Sequence, residues 1–405
     1  MKILIVSQYF PPENAYYANS VVEGLLKRGH SVKVLTGYPN YPNGRIFPGF
    51  KMRFRDQTQL ESGVQLLRVP LYVDHSTNGF KRILNYLSFG LSSAGAYRWA
   101  QDVDVIYVYA PQPTAAIGPW IWKRFGGRPY VLHIQDLWPD SVLGSSMLSK
   151  NRITQVIEYI LNAWLRSLYN RSSAVIAIAP RMVETLLKRG VPKSLLHLLY
   201  NWFDPTHEEK PDRSSLGTSL STFVFAGNIG EMQDVEKIID AAEILKSTPI
   251  QIKIVGDGVK LSDVQEKSRS LNQKNVEFLG RVPRDEMAGI YASANYSVVT
   301  LKDLPVFHGT IPSKFQSSLA NGIPVITNVQ GDLRSLVEEY GVGFTAESES
   351  AESLAEAMLK ASRLSPEQYA DQVKRTRQAF ASSFSTDSRI SELERILTEV
   401  ADSSK

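Results

Sequence analysis

The sequence contains no cysteine, which excludes disulfide frameworks, thiol nucleophiles and zinc–thiolate sites. Its six histidines show no ligand spacing, so no metal site is predicted. No Gly-x-Gly-x-x-Gly fingerprint follows either opening strand, which argues against an NAD-dependent oxidoreductase. No helix-turn-helix, RNP or zinc pattern indicates nucleic acid binding. The missing cysteine suits a reducing compartment, and we expect a cytoplasmic protein.

Long apolar runs are scarce as well. The run after Lys2 stops at Ser7, which is shorter than the core of a secretory signal peptide, and it predicts a first strand. The longest uncharged stretch, residues 105–122, would be long enough for a membrane span, but three prolines in and around its turn interrupt it. We therefore predict a strand, a turn and a buried helix there.

Charge is distributed unevenly between the two halves. Residues 1–200 contain 23 Lys and Arg against 11 Asp and Glu, a net charge of +12, and the remainder contains 22 against 30, a net charge of −8. The basic residues of the first half alternate with large apolar ones in FKRILNYLSFGL and WIWKRFGGRPY. This mixture favours contact with membrane phospholipid over nucleic acid. Ordinary solvation of helices around an apolar core is the alternative.

The chain is long enough for two domains, because 405 residues exceed what one hydrophobic core usually supports. Strand-like and helix-like segments alternate from Lys2 and again from Phe223, which is typical of α/β proteins with parallel sheets. Between the halves lies a segment rich in Pro, Asp, Glu, Ser and Thr, which indicates a linker. We predict an N-terminal domain over 1–205, a linker over 206–221, a second domain over 222–380 and a C-terminal helix over 381–405.

A glycine turn follows the first strand of the second half. Gly227 and Gly230 would let backbone amides approach a phosphate at the carboxyl end of a parallel strand, with Asn228 and Gln233 as side-chain donors. Glycine in such a turn is often only a matter of backbone geometry, so this signal is weak alone.

A second turn, Thr310–Ser313, leads into a predicted helix that begins at about Lys314, with Ser313 as the predicted N-cap. Lys314 then lies in the first helical turn, where the helix dipole disfavours a cation. A bound anion would explain the lysine there, and a diphosphate could be shared by Ser313, Lys314 and the helix amides. A solvent-exposed lysine is the alternative.

Seven segments, in order along nearly the whole chain, resemble the GT-B nucleotide-sugar glycosyltransferases of glycosyltransferase family 4. The similarity is greatest to the bacterial cell-surface polysaccharide branch that includes N-acetyl-fucosaminyl transferases. The segments are QYFPPEN with LLKRGHSVKVLTGYPNYPNG, IQDLWPDS, YNWFD, FAGNIGEMQD, IVGDG, VEFLGRVPRDEM and IPSKFQSSLANGIPVI. The resemblance implies two Rossmann-like domains facing a cleft, with the donor held by the second and the acceptor by the first. It further implies a retaining reaction, no bound metal or cofactor, and a terminal helix that returns to the first domain.

Transferred residue by residue, the resemblance places the donor diphosphate against Asn228, Pro312, Ser313 and Lys314, and the base near Gly280–Val282. The donor-binding candidates are Gly227, Asn228, Gln233, Gly256, Asp257, Arg281, Val282, His308, Thr310, Ile311, Pro312, Ser313 and Ser317. The catalytic candidates are Asp136, Lys314 and His133, and the acceptor-binding candidates are Glu13 and Asn14.

The sequence departs from the family pattern at charged positions. Many relatives have Arg and Lys where this chain has Asn228 and Gln233, so the positive charge must come from Lys314, alone or together with an arginine of the first domain. Relatives usually have a glutamate for the donor ribose three residues after the lysine, where this chain has Ser317. The acidic position eight residues upstream of that glutamate is Gly309. A charged hydrogen bond contributes roughly 1.5 to 3 kcal/mol, so we expect weaker donor binding or a different donor.

In the first half, Asp136 follows a predicted strand and is the candidate for positioning or deprotonating the acceptor. Its alternative role is to cap the following helix. His133, earlier on that strand, is the second candidate. Glu13 and Asn14 lie in the first loop and would contact the acceptor sugar, and His308 would reach the transferred sugar.

From these features we expect a retaining enzyme that moves an N-acetylated hexosamine or deoxyhexosamine from a UDP donor. Its acceptor would be a lipid-linked or other glycan in cell-surface polysaccharide synthesis, and the basic first domain would lie against the inner face of the cytoplasmic membrane. Two alternatives remain: a nucleotide-sugar 2-epimerase, and a catalytically silent nucleotide-sugar-binding scaffold that accounts for the missing glutamates.

Overall fold

The computed structural model describes residues 1–76, 78–139, 152–204, 221–283 and 286–404. The predicted linker, apart from Ser221, lies outside the described residues. Contacts divide the chain into two compact units. Unit 1 is Met1–Tyr200 together with Arg389–Lys405, and unit 2 is Asn201–Ser388.

Unit 1 is built on a sheet with the strand order β3-β4-β2-β1-β5-β6-β7-β8. Its strands are β1 (Lys2–Val6), β2 (Ser31–Gly37), β3 (Asp56–Gln59), β4 (Gln65–Val69), β5 (Val105–Ala110), β6 (Tyr130–Ile134), β7 (Ala174–Ala177) and β8 (Leu196–Leu198). Neighbours pair in parallel except β3, which is antiparallel to β4. The central strands are apolar throughout because helices cover both faces of a parallel sheet.

The helices of unit 1 connect these strands. They are α1 (Tyr16–Lys27), α2 (Gly79–Ala94), α3 (Ile117–Trp122), α4 (Arg152–Arg171) and α5 (Pro180–Lys188). The uncharged stretch 105–122 forms strand β5, a short 3-10 turn and the largely buried α3. Among the described residues, no helix combines the length and the apolar composition that a bilayer span requires.

Unit 2 has a sheet of parallel strands in the order β11-β10-β9-β12-β13-β14. They are β9 (Ser221–Ala226), β10 (Ile250–Val255), β11 (Val276–Gly280), β12 (Tyr296–Val299), β13 (Val325–Thr327) and β14 (Gly343–Thr345). The prediction of two α/β domains with parallel sheets is therefore confirmed.

The helices that follow these strands are α6 (Val235–Ile244), α7 (Leu261–Ser270), α8 (Met287–Ala292), α9 (Ser313–Ala320), α10 (Asp332–Tyr340), α11 (Ala351–Ser362) and α12 (Pro366–Ala379). A capping box formed by Ser365 and Gln368 fixes the start of α12. The apolar faces of α6 and α11 pack on the core around Phe223 and Tyr296.

The last helix, α13 (Thr386–Asp402), packs on α1 within unit 1. The Glu394 carboxylate lies 2.6 Å from His30 Nε2 and 3.3 Å from Arg28 Nε. Ile390 fills the space beside Gly24, where a Cβ atom would come within 2.8 Å of its side chain. An ion pair and a close helix contact thus hold residues 389–404 on the N-terminal unit.

Candidate functional site

Two glycine loops cross at the carboxyl ends of β9 and β10. Gly227 and Gly256 have φ of 137° and 136°, a backbone conformation that other residues rarely adopt. The Gly227 amide donates to the Val255 carbonyl over 2.9 Å. A Cβ on Gly256 would lie 1.9 Å from the Gly227 carbonyl oxygen, so only glycine permits this approach. The crossing lies at the carboxyl edge of the sheet, which is where parallel sheets bind ligands.

A pocket of about 510 Å³ lies at this crossing. Six predicted donor-site residues line it: Gly227, Asn228, Gly256, Asp257, Arg281 and Val282. Ala226 and Val255 add apolar walls from the strand ends, and Met287 and Tyr291 close one side from α8. The structure thus brings together residues from four separate segments in a mixed polar and apolar pocket, as a nucleoside requires.

Helix α9 begins one residue earlier than predicted. Ser313 is its first helical residue, Pro312 occupies the N-cap position with extended backbone angles, and no side chain caps the helix. The prediction that Ser313 is the N-cap is therefore wrong, because the helical conformation begins directly after the proline. Ser313 is exposed and Lys314 lies in the first turn, so the amides at this helix start retain their capacity to bind an anion.

The Lys314 side chain extends over the end of β9. Its Nζ atom lies 3.7 Å from the centre of the Phe225 ring. The absence of a side chain at Gly227 makes this possible, because a Cβ there would lie 2.5 Å from Lys314 Cε. Gly227 itself lines the pocket, so the lysine packs against a residue of the pocket wall.

The Lys314 ammonium is buried and has no hydrogen-bond partner among the described residues. Burial lowers its pKa to about 7. An aromatic face compensates a buried cation only partly, and an unsatisfied buried charge is costly. The alternative of a lysine pointing into solvent is therefore wrong, and its ammonium lacks the hydrogen-bond partner that an anion would supply.

The Asn228 and Gln233 amides bind each other. Asn228 Nδ2 donates to Gln233 Oε1 over 3.1 Å, and the Gly230 amide donates to the same oxygen over 3.1 Å. Gln233 therefore orders the turn through its oxygen, and exposed Asn228 remains at the pocket. These neutral side chains add no positive charge beside Lys314.

Ser317 lies one turn after Lys314 on α9. Its hydroxyl donates to the Lys314 carbonyl over 3.1 Å and lies 3.3 Å from the Tyr291 hydroxyl. Gln316, its neighbour, is buried and donates to the Asn201 carbonyl, so it does not replace the glutamate of the relatives. Ser317 and Tyr291 thus form a pair of neutral hydroxyls, and Tyr291 lines the pocket.

The loop before α9 holds the remaining donor-site candidates. His308 Nε2 lies 2.6 Å from Asp303 Oδ1, and Ser348 donates to the other oxygen of that carboxylate. Thr310 donates to the Val306 carbonyl, and half-buried Ile311 connects this loop to Pro312. His308 is thus hydrogen-bonded to Asp303 within its own loop.

In unit 1, Asp136 lies two residues beyond the end of β6 and is exposed. Nearby protein atoms nevertheless raise the pKa of its carboxyl from the ordinary value by desolvation. His133, within β6, has no exposed surface, and its Nδ1 lies 2.6 Å from the Tyr107 hydroxyl. Burial lowers the pKa of His133 to about 3. His133 is therefore a core residue, and the hypothesis that it acts on the acceptor is wrong.

Glu13 is also buried, at 4% exposure. Its Oε1 accepts from the amides of Asn40 and Tyr41 over 2.6 and 2.8 Å, and its Oε2 accepts from the Phe10 amide over 3.3 Å. The carboxylate thus joins the first loop to the loop after β2, and the prediction that it contacts an acceptor sugar is wrong. Asn14, the next residue, is exposed.

A cluster of rings that the sequence did not reveal involves the two loops that Glu13 joins and the loop after β4. Tyr9, Tyr41 and His75 have ring centres 5.2 to 6.2 Å apart. His75 Nε2 lies 2.7 Å from Asn40 Oδ1.

Within the described residues, no three His, Asp or Glu side chains are grouped so that they could hold a metal ion.

Comparison with known proteins covers both units. Residues 15–202 match the glycosyl transferase 4-like domain, and residues 207–379 match the family described as glycosyl transferases group 1. The putative colanic acid biosynthesis glycosyl transferase WcaI of Escherichia coli K12 is 27% identical over 381 residues, which cover 89% of this chain and 92% of that protein. A GDP-mannose-dependent alpha-mannosyltransferase of Mycobacterium tuberculosis is 23% identical over 358 residues, which cover 85% of this chain and 83% of that protein.

Among solved structures, HepE from Anabaena in complex with UDP and glucose has a TM-score of 0.61 at 17% identity. The alignment covers 98% of this chain and 99% of that one, and at this identity it supports the fold alone. The two family models and the relatives that align over most of the chain all indicate a glycosyltransferase. The chain is therefore a glycosyltransferase of GT-B fold, with a glycosyl transferase 4-like domain in its first half and a glycosyl transferases group 1 domain in its second.

Proposed function

We propose that the protein is a retaining glycosyltransferase that transfers an N-acetylated hexosamine or deoxyhexosamine from a UDP donor. The acceptor is a lipid-linked or other glycan of a cell-surface polysaccharide, as in the N-acetyl-fucosaminyl transferase branch that the sequence resembles. The relative WcaI, named for colanic acid biosynthesis, supports the polysaccharide role. Retention rests on the family resemblance, and the enzyme works at the inner face of the cytoplasmic membrane without a metal or other cofactor.

One observation carries this proposal: the buried, unpaired ammonium of Lys314 beside Gly227, a residue that lines the pocket. A cation without a partner beside the start of α9 is an incomplete ion pair, and a diphosphate would complete it. The phosphates would then contact Lys314, exposed Ser313 and the helix amides, with Asn228 on the facing turn.

The pocket would hold the nucleoside next to the phosphates. The base would lie against Arg281 and Val282, the ribose would face Tyr291 and Ser317, and Gly256 and Asp257 would form the floor. UDP is supported by HepE, whose solved complexes contain UDP. The mycobacterial relative is named for GDP-mannose, so the base is the part of the donor to test first.

The chemistry follows from where charge develops. As the glycosidic bond to the diphosphate breaks, negative charge grows on the leaving oxygen, and Lys314 with the α9 amides stabilises it. The sugar becomes oxocarbenium-like and meets an acceptor hydroxyl that Asp136 positions or deprotonates. The raised pKa of Asp136 strengthens it as a base. Thr310, Ile311 and Pro312 set the position of the helix start, and His308 lies on the same loop.

The neutral residues at Asn228, Gln233, Ser317 and Gly309 favour a second function. A protein that binds the nucleotide sugar without turnover and scaffolds a membrane assembly would need no ribose carboxylate. Such a protein would still bind the donor at Lys314. Donor binding alone therefore does not separate the two functions.

The test has two steps. A panel of UDP- and GDP-sugars is first screened for thermal stabilisation, because a tight ligand raises the melting temperature by mass action. UDP release is then measured with the best donor, with and without a lipid-linked acceptor fraction. The transferase releases UDP only when acceptor is added, whereas the scaffold releases none and leaves the donor unchanged. A nucleotide-sugar 2-epimerase converts the donor alone into its 2-epimer, which remains attached to the nucleotide.

A further inference from the structure

The Ser317 and Tyr291 hydroxyls connect the two ends of the proposed donor site. A nucleoside diphosphate carries its pentose between the base and the phosphates. In the proposed binding mode the base lies in the pocket and the phosphates lie at the start of α9. Ser317 lies one helical turn after Lys314, and its hydroxyl is 3.3 Å from that of Tyr291, which lines the pocket. These two hydroxyls would therefore face the pentose.

Both hydroxyls already have partners in the ligand-free protein. The Ser317 hydroxyl donates to the Lys314 carbonyl over 3.1 Å. Because its proton is used there, the Tyr291 hydroxyl is the donor in the contact with the Ser317 oxygen. Lys314 Nζ differs, since it is buried and has no partner among the described residues. Of these three groups, only the ammonium requires a ligand to complete its hydrogen bonding.

Asp257 is the one acidic residue among the described residues that line the pocket. It is exposed, and its Oδ1 accepts from the Gly258 amide over 2.7 Å within the same turn. An exposed carboxylate stays hydrated, so water takes the place of a missing ligand hydroxyl at little cost. Asp257 therefore does not enforce the presence of a pentose hydroxyl.

Discrimination between ribose and 2′-deoxyribose depends on what the missing hydroxyl leaves behind in the site. A site with buried groups that require a ligand hydroxyl rejects the analogue without it by about ten-thousandfold or more, because those groups are left unpaired. Loss of the 2′ hydroxyl beside Ser317 leaves both protein hydroxyls bonded as they are in the free protein. The expected loss is at most that of one ordinary hydrogen bond, about fivefold in affinity.

The walls of the pocket suit a methylated pyrimidine. Ala226, Val255, Val282 and Met287 line the pocket with apolar side chains. Thymine differs from uracil by one methyl group, and burial of a methyl group against apolar side chains is favourable. The pocket is therefore expected to bind thymine as well as uracil.

We propose that the donor site accepts 2′-deoxyribonucleotides, so that dTDP-linked sugars are donors as well as UDP-linked sugars. The inference rests on the proposed function, and it widens the donor class from ribonucleotides to both kinds of nucleotide. Ser317 is the residue that determines this, because its neutral hydroxyl pairs with Tyr291 when no ligand hydroxyl is present.

Isothermal titration of the full chain with UDP, dUDP and dTDP tests the proposal. The dissociation constants of dUDP and dTDP are expected to lie within about fivefold of that of UDP. Comparison of UDP with dUDP isolates the 2′ hydroxyl, and comparison of dUDP with dTDP isolates the methyl group. A larger loss of affinity for either deoxynucleotide overturns the proposal.

The variant Ser317→Glu should introduce discrimination. Its ratio of the dUDP to the UDP dissociation constant should rise to at least about tenfold, because a carboxylate loses a charged hydrogen bond when the 2′ hydroxyl is absent. Ser317→Gln, of nearly the same size without the charge, is the matched control and should keep the ratio within about fivefold. An unchanged ratio in a folded Ser317→Glu overturns the proposal, because the pentose then lies elsewhere. If that variant does not fold, the titrations of the wild type decide.

Failure of this inference and failure of the proposed function give different results. If the transferase proposal alone fails, the three nucleotides bind with similar affinity, and adding acceptor releases no nucleotide from a sugar donor. If the inference alone fails, UDP is released from its sugar donor on addition of acceptor, but dUDP or dTDP binds much more weakly than UDP. Absence of binding by all three nucleotides overturns both.

Discussion

The Lys314 ammonium lies 3.7 Å from the centre of the Phe225 ring. Phe225 is the penultimate residue of β9 and is fully buried, so the ring is a fixed platform beneath the cation. The contact holds the Lys314 nitrogen against Phe225 before any ligand arrives, without satisfying its hydrogen bonds. The position of the nitrogen is thus set before binding, and its full charge is established as the diphosphate binds, because the pKa of the free side chain is about 7.

Replacing Lys314 by Met should weaken UDP binding by about tenfold to a hundredfold, because a charged hydrogen bond contributes roughly 1.5 to 3 kcal/mol. The melting temperature of the free protein should stay the same or rise, since methionine fills the space without a buried charge. Isothermal titration with UDP measures the first effect and thermal unfolding the second. Lys246→Ala, at an exposed lysine of the same unit, is the control. Unfolding of the Lys314 variant would mean that the lysine is structural.

The pH dependence of UDP binding should follow Lys314. Its pKa in the free protein is lowered to about 7 by burial, and a bound diphosphate favours the charged form. Binding near neutral pH therefore takes up protons, and affinity falls as the pH rises above about 7. Titration in buffers with different heats of ionisation measures the proton uptake. The same uptake in Lys314→Met would assign it to another group.

The stability of the ligand-free protein should show the opposite trend. Between about 7 and 10.5 the unfolded lysine binds more protons than the folded one, so the free energy of unfolding rises with pH through this window. Urea unfolding at several pH values measures the slope. The part of the slope due to Lys314 should disappear in Lys314→Met, and identical slopes in both proteins would contradict this account.

Asp136→Asn should keep UDP binding and lower acceptor-dependent turnover by about a hundredfold to ten-thousandfold, because general base catalysis contributes that much. Asparagine keeps the shape of the side chain but does not accept a proton. UDP release and UDP titration on the same protein check the two parts. Full turnover in the variant would leave Asp136 with the role of capping the chain that follows.

Ser317→Glu should tighten UDP binding by about tenfold to a hundredfold, since a carboxylate at this position could accept from both ribose hydroxyls. The Tyr291 hydroxyl, 3.3 Å from Ser317 Oγ, would be a further donor to it. Ser317→Gln has nearly the same size without the charge and should change affinity little. Equal effects of the two substitutions would place the ribose elsewhere.

The fold and the place of Lys314 in the first turn of α9 could be predicted because their signals are local. Alternating strand and helix patterns predict both sheets. A lysine in the first helical turn after Pro312 is unusual, because the helix dipole disfavours a cation there. That Met287 and Tyr291 line the pocket could not be predicted, because their short helix α8 reaches the pocket only through tertiary packing. The contact between Lys314 and Phe225 joins residues far apart in the sequence, and no sequence pattern predicts it.

The errors in unit 1 have physical causes too. His133 lies in YVLHI, a continuous apolar run of a central parallel strand, and such strands are buried on both faces. That signal was available and indicates a core histidine. Glu13 is different, because the loop carrying Asn40 and Tyr41 folds over it. A carboxylate that binds backbone amides from a distant loop is recognisable only in three dimensions.

A crystal structure of the protein with UDP tests the central claim most directly. The account predicts the diphosphate at the start of α9, with a phosphate oxygen within about 3 Å of Lys314 Nζ and the base in the pocket beside Val282. UDP bound at another place, or a Lys314 side chain turned away from the diphosphate into solvent, would contradict it.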